Sequence, residues 1–218
     1  MTPASLALDG DLVSLRPPPV DDLRFLAAGA KQPFADLLVH SDLFQTYQDD
    51  AEPFHERLML DIGQLVLAVY RRGVESSRPL GYVRLYGIEP RERYAFLEVM
   101  LIDRHAMRKG LGVEAGRMIC YYGMDVLGLE RIEAKVYGYN RLSANSLLRN
   151  GFTLEGVLRH ARFVRDVWHD VLVFGILKEE VQAVRKLMPR ERTGSIRWPS
   201  GPRRLPRELA GDDREIYS

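Results

Sequence analysis

The stretch YAFLEVMLIDRHAMRKGLGVEAGRMICYYGMDV (Tyr94–Val126) decides the fold that we predict for this chain. Its first residues alternate between two faces, with Glu98 and Met100 on the same one, which is typical of a β-strand. From Leu111 onward the apolar residues recur at helical spacing, so the pattern predicts a helix. The loop RKGLG (108–112) has two cations and two glycines, and amides at the helix start can bind phosphate. An ordinary turn before a surface helix is the alternative, and this short motif alone does not decide.

A second stretch, RIEAKVYGYNRLSANSLLRNGFTLEGVLR (131–159), follows the helix as a strand, a short helix and a further strand. With the MRKGLG loop it resembles motifs A and B of the GCN5-related N-acetyltransferases (GNAT). It is most similar to the RimJ/RimL type, which acetylates ribosomal-protein N-termini. The resemblance covers about Leu12 to Glu180 and departs from the family at Met107, where Gln or Arg is usual. The residues that carry it are Val136, Asn140, Ser143, Gly151-Phe152, Glu155-Gly156 and Trp168-His169-Asp170.

The resemblance implies an α/β GNAT fold, a mixed and mostly antiparallel sheet of about seven strands with flanking helices. The strand from Tyr94 and the strand 131–136 must run parallel, because a helix connects them. In the family these two strands splay apart, and the pantetheine arm of the cofactor lies in the opening. Residues 31–62 would form the acceptor-binding helices, and the last two strands would turn at about Arg165-Asp166.

Acetyl-CoA is the cosubstrate that the resemblance implies. No metal is expected, because the histidines and the cysteine lack the close spacing of a zinc site. Main-chain groups of the central strand would meet the pantetheine, with one N–H polarising the thioester carbonyl. The loop amides would hold the diphosphate. The predicted cofactor-binding residues are Val99, Met100, Leu101, Met107, Arg108, Lys109, Gly110, Leu111, Gly112, Val113, Asn140 and Ser143.

Transfer from a thioester to an amine needs a base for the amine and a proton donor for the thiolate. Glu98 is the predicted base, because apolar neighbours on its strand face favour a carboxylate that takes up protons. The alternative for Glu98 is a sheet carboxylate hydrogen-bonded to a nearby arginine. Ser143 and Tyr139 are candidates to protonate the thiolate, and Tyr137 is an alternative. Asn140 and Ser143 are equally candidate caps of the helix that follows them.

Other polar residues have structural interpretations that compete with functional ones. His160, His169 and Asp170 lie on the predicted closing hairpin near the acceptor entrance, but a histidine on a strand is more often structural. Cys120 lies in mid-helix among apolar residues, so we expect a buried side chain rather than a nucleophile. The acidic run Asp49-Asp50-Glu52 could attract an amine, although such runs are more often solvated loops.

Composition is that of one domain with a tail. The chain has 218 residues, of which 46% are apolar, enough for a full core. Its net charge of +1 argues against bulk nucleic-acid binding, and no run approaches membrane-spanning length. One cysteine and no evident signal peptide favour the cytoplasm. We predict an N-terminal extension (1–11), a domain (12–180) whose first helix starts at Asp21 or Asp22, and an Arg/Pro-rich tail (181–218).

The residues and the resemblance together predict an acyl-CoA-dependent N-acyltransferase. In its simplest form the enzyme moves acetyl from acetyl-CoA to a primary amine by direct attack in a ternary complex. The acceptor would be a protein N-terminus or a small amine, and the residue pattern does not decide between them. The alternative is a non-catalytic acyl-CoA-binding module that senses the cofactor or scaffolds a partner. The tail leaves open that it packs on the body or on a second subunit, as in a homodimer.

Overall fold

Eight strands form one sheet in the part of the chain that the structure describes. The structure is a computed structural model, and the described residues are 6–38, 41–44, 47, 50–74 and 78–187. The strands are β1 (Leu8–Asp9), β2 (Val13–Arg16), β3 (Gln64–Arg71), β4 (Gly81–Glu89), β5 (Tyr94–Leu101), β6 (Arg131–Tyr137), β7 (Thr153–Val164) and β8 (Val167–Leu177). The helices are α1 (Val20–Ala30), α2 (Pro33–Leu38), α3 (Ala51–Leu60), α4 (Leu111–Asp125), α5 (Arg141–Arg149) and α6 (Lys178–Leu187).

The strands pair in the order β1-β2-β3-β4-β5-β6-β8-β7. β5 and β6 are parallel, and the other neighbours pair in antiparallel fashion. The helix α4 connects the parallel pair, as a crossover between parallel strands requires. This topology confirms the predicted mixed, mostly antiparallel sheet with one parallel pair.

Helices cover the two faces of the sheet unequally. α4 packs on the face that carries Leu97, and its residue Ile119 is fully buried there in the main core. α1, α2 and α3 pack on the opposite face against Tyr82 and Met100, which form a second apolar cluster. Further along this second face the sheet is more open, and Phe96 is only half-buried. The second face therefore has room for a ligand beside the helices.

The parallel pair is joined over only three residues of each strand. Tyr94 to Phe96 of β5 pair with Arg131 to Glu133 of β6, and beyond these residues the two strands diverge. β5 continues to Leu101 alongside β4, and β6 continues to Tyr137 alongside β8. The splayed pair that the resemblance implied is therefore present, and it leaves a gap in the middle of the sheet.

The closing hairpin turns where the sequence predicted. Arg165 and Asp166 connect β7 to β8, and both have positive φ, 50° and 60°. Two consecutive positive φ angles are typical of a type I′ turn, whose twist matches that of paired strands. The hairpin brings Arg162 over the ring of Tyr137 on β6, at 5.1 Å from the ring centroid. It thus forms one wall of the gap beside β6.

Two elements differ from those predicted. The sheet has eight strands rather than about seven, because Leu8–Asp9 of the predicted extension pairs with β2. α1 starts at Val20 with Pro19 as its N-cap, and not at an aspartate. Pro19 has φ −65° and ψ 164°, the extended backbone conformation that is typical of an N-cap residue. α6 spans Lys178–Leu187 and so continues past Glu180, whereas the predicted division into extension, domain and tail stays a prediction. The predicted tail beyond Leu187 lies outside the described residues.

Among the described helices, none combines the length and the apolarity that a membrane crossing requires.

Candidate active site

A cavity of about 490 Å³ opens where β5 and β6 diverge. This volume is typical of pockets that hold small molecules and cofactors. α4 and α5 form its walls on one face of the sheet, and α2 and the β7–β8 hairpin contribute on the other. The predicted site residues that line it are Glu98, Val99, Met100, Leu101, Met107, Arg108, Gly110, Gly112, Val113, Asn140 and Ser143.

The N-terminus of α4 lies at the cavity. Its N-cap, Gly110, has a φ of +83°, a conformation in which a side chain would be strained, and Arg108 also has a positive φ of 62°. The carbonyl of Gly110 accepts the N–H of Glu114 at 3.0 Å, so the helical ladder starts here. The amides of the first turn have no preceding helical carbonyl to bond and carry the positive end of the helix dipole. This geometry suits an anion, as predicted for RKGLG.

Glu114 ties the start of α4 to the N-terminal strands. Its carboxylate accepts the backbone N–H groups of Asp11, Leu12 and Val13, each at 2.8 Å. Three charge-assisted hydrogen bonds to one carboxylate hold the β1–β2 turn against the first helical turn. Of the other predicted loop residues, Lys109 is exposed next to the cavity and Leu111 is buried in the main core. Leu111 therefore anchors the first turn of α4 in the main core.

Asn140 is the N-cap of α5. Its Oδ1 accepts the N–H of Ser143 at 3.1 Å, and its Nδ2 donates to the carbonyl of Leu38 at 3.0 Å. The predicted alternative of a capping role is thus confirmed for Asn140, and the same side chain links α5 to α2 across the cavity. Ser143 supplies its amide to the cap, and its side chain belongs to the cavity lining.

Asn150 lines the cavity but is not among the predicted site residues. It is the C-cap of α5, with 3% of the residue exposed. Its Nδ2 donates to the carbonyl of Val113 at 2.9 Å, and its Oδ1 accepts from Arg117 Nε at 3.3 Å. Burial lowers the pKa of the Arg117 guanidinium. Asn150 therefore connects the end of α5 to the first turn of α4.

Glu98 is paired with Arg84 rather than surrounded only by apolar side chains. The residue is 7% exposed, and its Oε2 accepts from Arg84 Nε at 3.0 Å and Nη2 at 2.9 Å. Its Oε1 accepts the hydroxyl of Tyr82 at 2.6 Å. Arg84 also bonds Asp42, which is at the surface. The alternative interpretation of Glu98, a sheet carboxylate bonded to an arginine, therefore describes its surroundings.

This network also affects its other members. Burial and the neighbouring Glu98 carboxylate raise the pKa of Tyr82 well above its ordinary value, so its hydroxyl stays protonated. Burial by itself lowers the pKa of Arg84, but the carboxylates of Glu98 and Asp42 outweigh it and raise that pKa. Arg84 is thus a permanent cation that keeps a negative partner on each side.

The two tyrosines past β6 occupy different places. Tyr137 lines the cavity, whereas Tyr139 lies beside the lining, with its ring 5.4 Å from Tyr137 and 4.7 Å from His169. Asp170 accepts the backbone N–H of His160 at 3.0 Å. These contacts stabilise the irregular part of the hairpin, between Leu158 and Arg162.

The remaining candidates lie away from the cavity lining. Cys120 is buried in α4, and burial raises the pKa of its thiol. Glu52 of the acidic run pairs with Arg24 at 2.7 Å, and Asp49 lies outside the described residues. Within the described ranges, no group of three or more His, Cys, Asp and Glu side chains is arranged to hold a metal ion.

Several cavity residues had no signal in the sequence. They come from α2, β4, β6, the α5 region and the β7–β8 hairpin, and only folding brings them to the gap. Side chains at alternate positions of a strand share a face, so Lys135 and Tyr137 of β6 face away from α4 together. The unpredicted residues of the lining include Leu38, Tyr86, Lys135, Arg149, Asn150 and Arg162.

The sheet opens between its parallel pair, and the N-terminus of the crossover helix lies at the opening. These two features together define the class of GNAT folds. The profile of the acetyltransferase (GNAT) domain matches residues 13–153, which is more than half of the chain. The chain therefore belongs to the GNAT acetyltransferase domain family.

Two bacterial relatives support this membership. The chain is 32% identical over 111 residues to the uncharacterized N-acetyltransferase YoaA of Bacillus subtilis (strain 168), across 50% of this chain and 62% of that protein. It is 37% identical over 79 residues to the uncharacterized N-acetyltransferase p20 of Bacillus licheniformis, across 36% and 44%. The matched region thus spans less than two-thirds of each curated relative.

Solved structures share the fold. A dodecameric spermidine N-acetyltransferase from Vibrio cholerae has a TM-score of 0.67 and 21% identity over 79% of this chain and 97% of that one. A GCN5-related N-acetyltransferase from Brucella melitensis has a TM-score of 0.61 and 22% identity over 90% and 92%. A microcin self-immunity acetyltransferase in complex with acetyl-CoA and AMP has a TM-score of 0.61 and 24% identity over 77% and 93%. At such identities the likeness shows the fold alone.

Proposed function

We propose that this protein is an N-acetyltransferase that moves the acetyl group of acetyl-CoA to a primary amine. The observation that carries the proposal is the gap between β5 and β6, which leads directly to the first-turn amides of α4. A long cofactor with a diphosphate at one end of its arm and a thioester at the other matches a cavity of this form. The family, the relatives named N-acetyltransferases and the acetyl-CoA complex of one structural neighbour support it.

We propose that the diphosphate binds at the amides from Arg108 to Val113. Positive φ at Arg108 and Gly110 turns successive amides toward one side, which favours an anion-binding nest. Met107 lines the cavity here, and its side chain has no hydrogen-bond donor for a phosphate. Backbone amides would therefore provide most of the binding to the diphosphate. The pantetheine would then follow the exposed edge of β5, bonded to main-chain groups of Val99, Met100 and Leu101.

In the proposed reaction the amine nitrogen bonds to the acetyl carbon as the bond from that carbon to sulfur breaks. The amine loses a proton, and the CoA thiolate gains one. Ser143 is the proposed donor to the thiolate, because the residue lines the cavity while Asn140 performs the capping. Tyr137 is the alternative donor, since its ring lines the cavity and Tyr139 lies behind it.

Glu98 is the proposed acceptor of the amine proton, through water. Its carboxylate accepts three hydrogen bonds, two from Arg84 and one from Tyr82. A carboxylate has about four lone-pair sites, and these three hydrogen bonds use three of them. The remaining site can accept a hydrogen bond from a water molecule that also bonds the amine. In this arrangement Glu98 also attracts the cationic form of the acceptor before the proton leaves.

The proposal also covers the subgroup, the location and the assembly of the protein. The motifs are RimJ/RimL-like, and we propose a cytoplasmic location from the single cysteine and a homodimer to which the tail contributes. These motifs leave both a protein N-terminus and a small amine as candidate acceptors. The spermidine N-acetyltransferase among the structural neighbours is a dodecamer, so assembly occurs within this fold.

Calorimetry with CoA and thiol release from acetyl-CoA test the proposal on the full chain. We expect CoA to bind, and we expect free thiol to appear only when an amine is added. The variant Gly112→Asp places a negative charge in the first turn of α4 and is expected to weaken CoA binding by at least about 10-fold. The variant Asp125→Asn, at the far end of α4, is the matched control. Binding without thiol release from any amine would favour a non-catalytic acyl-CoA-binding module instead, and absence of binding would overturn both functions.

A further inference from the structure

We infer that the acceptor is a small amine that also carries an anionic group, a carboxylate or a phosphate, and that Lys135 and Arg162 bind this group. The inference rests on the proposed function and adds the chemical class of the acceptor. It depends on which charges line the side of the cavity that faces away from α4.

The cavity has two different sides because it passes through the sheet. Leu97, Val99 and Leu101 of β5 face α4, whose Gly112 and Gly116 lie against them. The alternate residues of β5, among them Glu98, face the other way, as do Lys135 and Tyr137 of β6. With the cofactor at α4, an acceptor must approach the thioester from this second side.

Lys135 is held at this second side by an aromatic ring. Its Nζ lies 5.4 Å from the centroid of Phe96, and half of the side chain, 49%, is exposed. Its nearest carboxylate, Glu133, is at the limit of an ion pair at 4.0 Å and is closer to Arg131, at 3.1 Å. The ammonium therefore remains accessible to an anion in the cavity.

Arg162 faces the same space from the hairpin. Its guanidinium stacks over the ring of Tyr137 at 5.1 Å, and both residues line the cavity. Stacking uses the flat face of a guanidinium, whereas its N–H donors lie in its plane and can bind a carboxylate or phosphate edge-on. Each ring thus holds one cation of the cavity lining, Phe96 the lysine and Tyr137 the arginine.

The carboxylates on this side do not favour a polycationic acceptor. Glu98 is the only carboxylate among the described residues of the lining, and Arg84 binds both it and Asp42. A polyamine needs several carboxylates whose charge is not already balanced. A single amine with a nearby anion fits better, because Glu98 attracts the amine while the two cations attract the anion.

Thiol release with matched amines tests the inference. Each pair differs only in the anion: β-alanine with propylamine, and phosphoethanolamine with ethanolamine. We expect kcat/KM to be at least about 10-fold higher for the anionic member of one pair, and the better pair identifies a carboxylate or a phosphate. Equal or higher kcat/KM for both neutral amines, for spermidine or for a peptide N-terminus would overturn it.

Two variants show whether the named cations carry the preference. Lys135→Gln and Arg162→Gln are each expected to raise KM for the preferred anionic amine by about 10-fold and to lower kcat/KM for its neutral partner by less than about 3-fold. Arg159→Gln, an exposed arginine on the same strand β7, is the matched control and is expected to change neither. If the variants keep the wild-type preference, the inference fails while the proposed function stands. If no amine releases thiol, both the proposed function and the inference fail.

Discussion

Arg84 and Glu98 stand opposite each other on β4 and β5, and two nitrogens of the arginine donate to one carboxylate oxygen at 2.9 and 3.0 Å. Both residues are buried, 4% and 7% exposed. Removal of Arg84 leaves Glu98 as a buried charge without its counter-charge, and removal of Glu98 leaves the buried Arg84 with only the exposed Asp42. Both changes are costly in a protein interior. The same carboxylate lines the cavity, so it has a structural role and a proposed catalytic role that experiment can separate.

Glu98→Gln and Arg84→Gln are each expected to lower the free energy of unfolding by about 3–5 kcal/mol, measured by urea denaturation. The double variant is expected to recover most of this loss, because no unpaired charge remains. Acetyl transfer is expected to stay low in the double variant, since the carboxylate that receives the amine proton is still missing. A double variant with wild-type turnover would show that Glu98 acts on structure only.

Asn150 is expected to set the affinity for the donor through its bond to Val113. Asn150→Asp keeps the shape of the side chain but places an acceptor against the Val113 carbonyl, so α5 no longer holds the first turn of α4. We expect the Kd for CoA to rise about 10-fold and kcat at saturating acetyl-CoA to change less than about 3-fold. Calorimetry and steady-state kinetics measure the two quantities. An unchanged Kd in a folded variant would contradict the positioning role.

The thiol of Cys120 is expected to be unreactive in the folded protein. Burial raises its pKa, so at pH 8 the thiol is protonated as well as shielded. Labelling with a disulfide reagent is expected to be at least about 100-fold slower in buffer than in 6 M guanidinium. Equal rates in both solutions would show that the helix α4 opens readily. The chain has no other cysteine, so thiol-release assays are expected to have a low background.

The pair of Arg131 and Glu155 predicts a small dependence of stability on pH. Arg131 Nη1 donates to Glu155 Oε1 at 2.7 Å, and this hydrogen bond lowers the pKa of the Glu155 carboxyl from its ordinary 4.5. A lowered folded-state pKa contributes stability above pH 4.5 that is lost as the pH falls through the lowered value.

Glu155→Gln is therefore expected to be less stable than the wild type at pH 7, by under about 1 kcal/mol because solvent screens this partly exposed pair. The difference is expected to shrink as the pH is lowered below 4.5. Urea denaturation across this pH range measures it, with Glu92→Gln at the exposed β4–β5 turn as the control. A difference that stays constant with pH would mean that the pair does not account for it.

The elements themselves could be predicted from the sequence, because their signals are local. The alternation of β5, the glycine at the start of α4, the helix cap at Asn140 and the turn at Arg165-Asp166 each depend on residues within a few positions. The strand β1 was missed because two residues are too few to show a period. The site residues of the loop and of β5 could be named because they belong to those same elements.

The sequence by itself thus determined the order of strands and helices and the parallel pair, since a crossover helix leaves no other direction for β6. The tertiary structure alone decided the partners of the site residues. Glu98 meets Arg84 through the register of two strands, and Asn150 meets Val113 through the packing of α5 on α4. Such contacts join residues far apart in the chain and depend on strand register and core packing. A local sequence pattern therefore does not predict them.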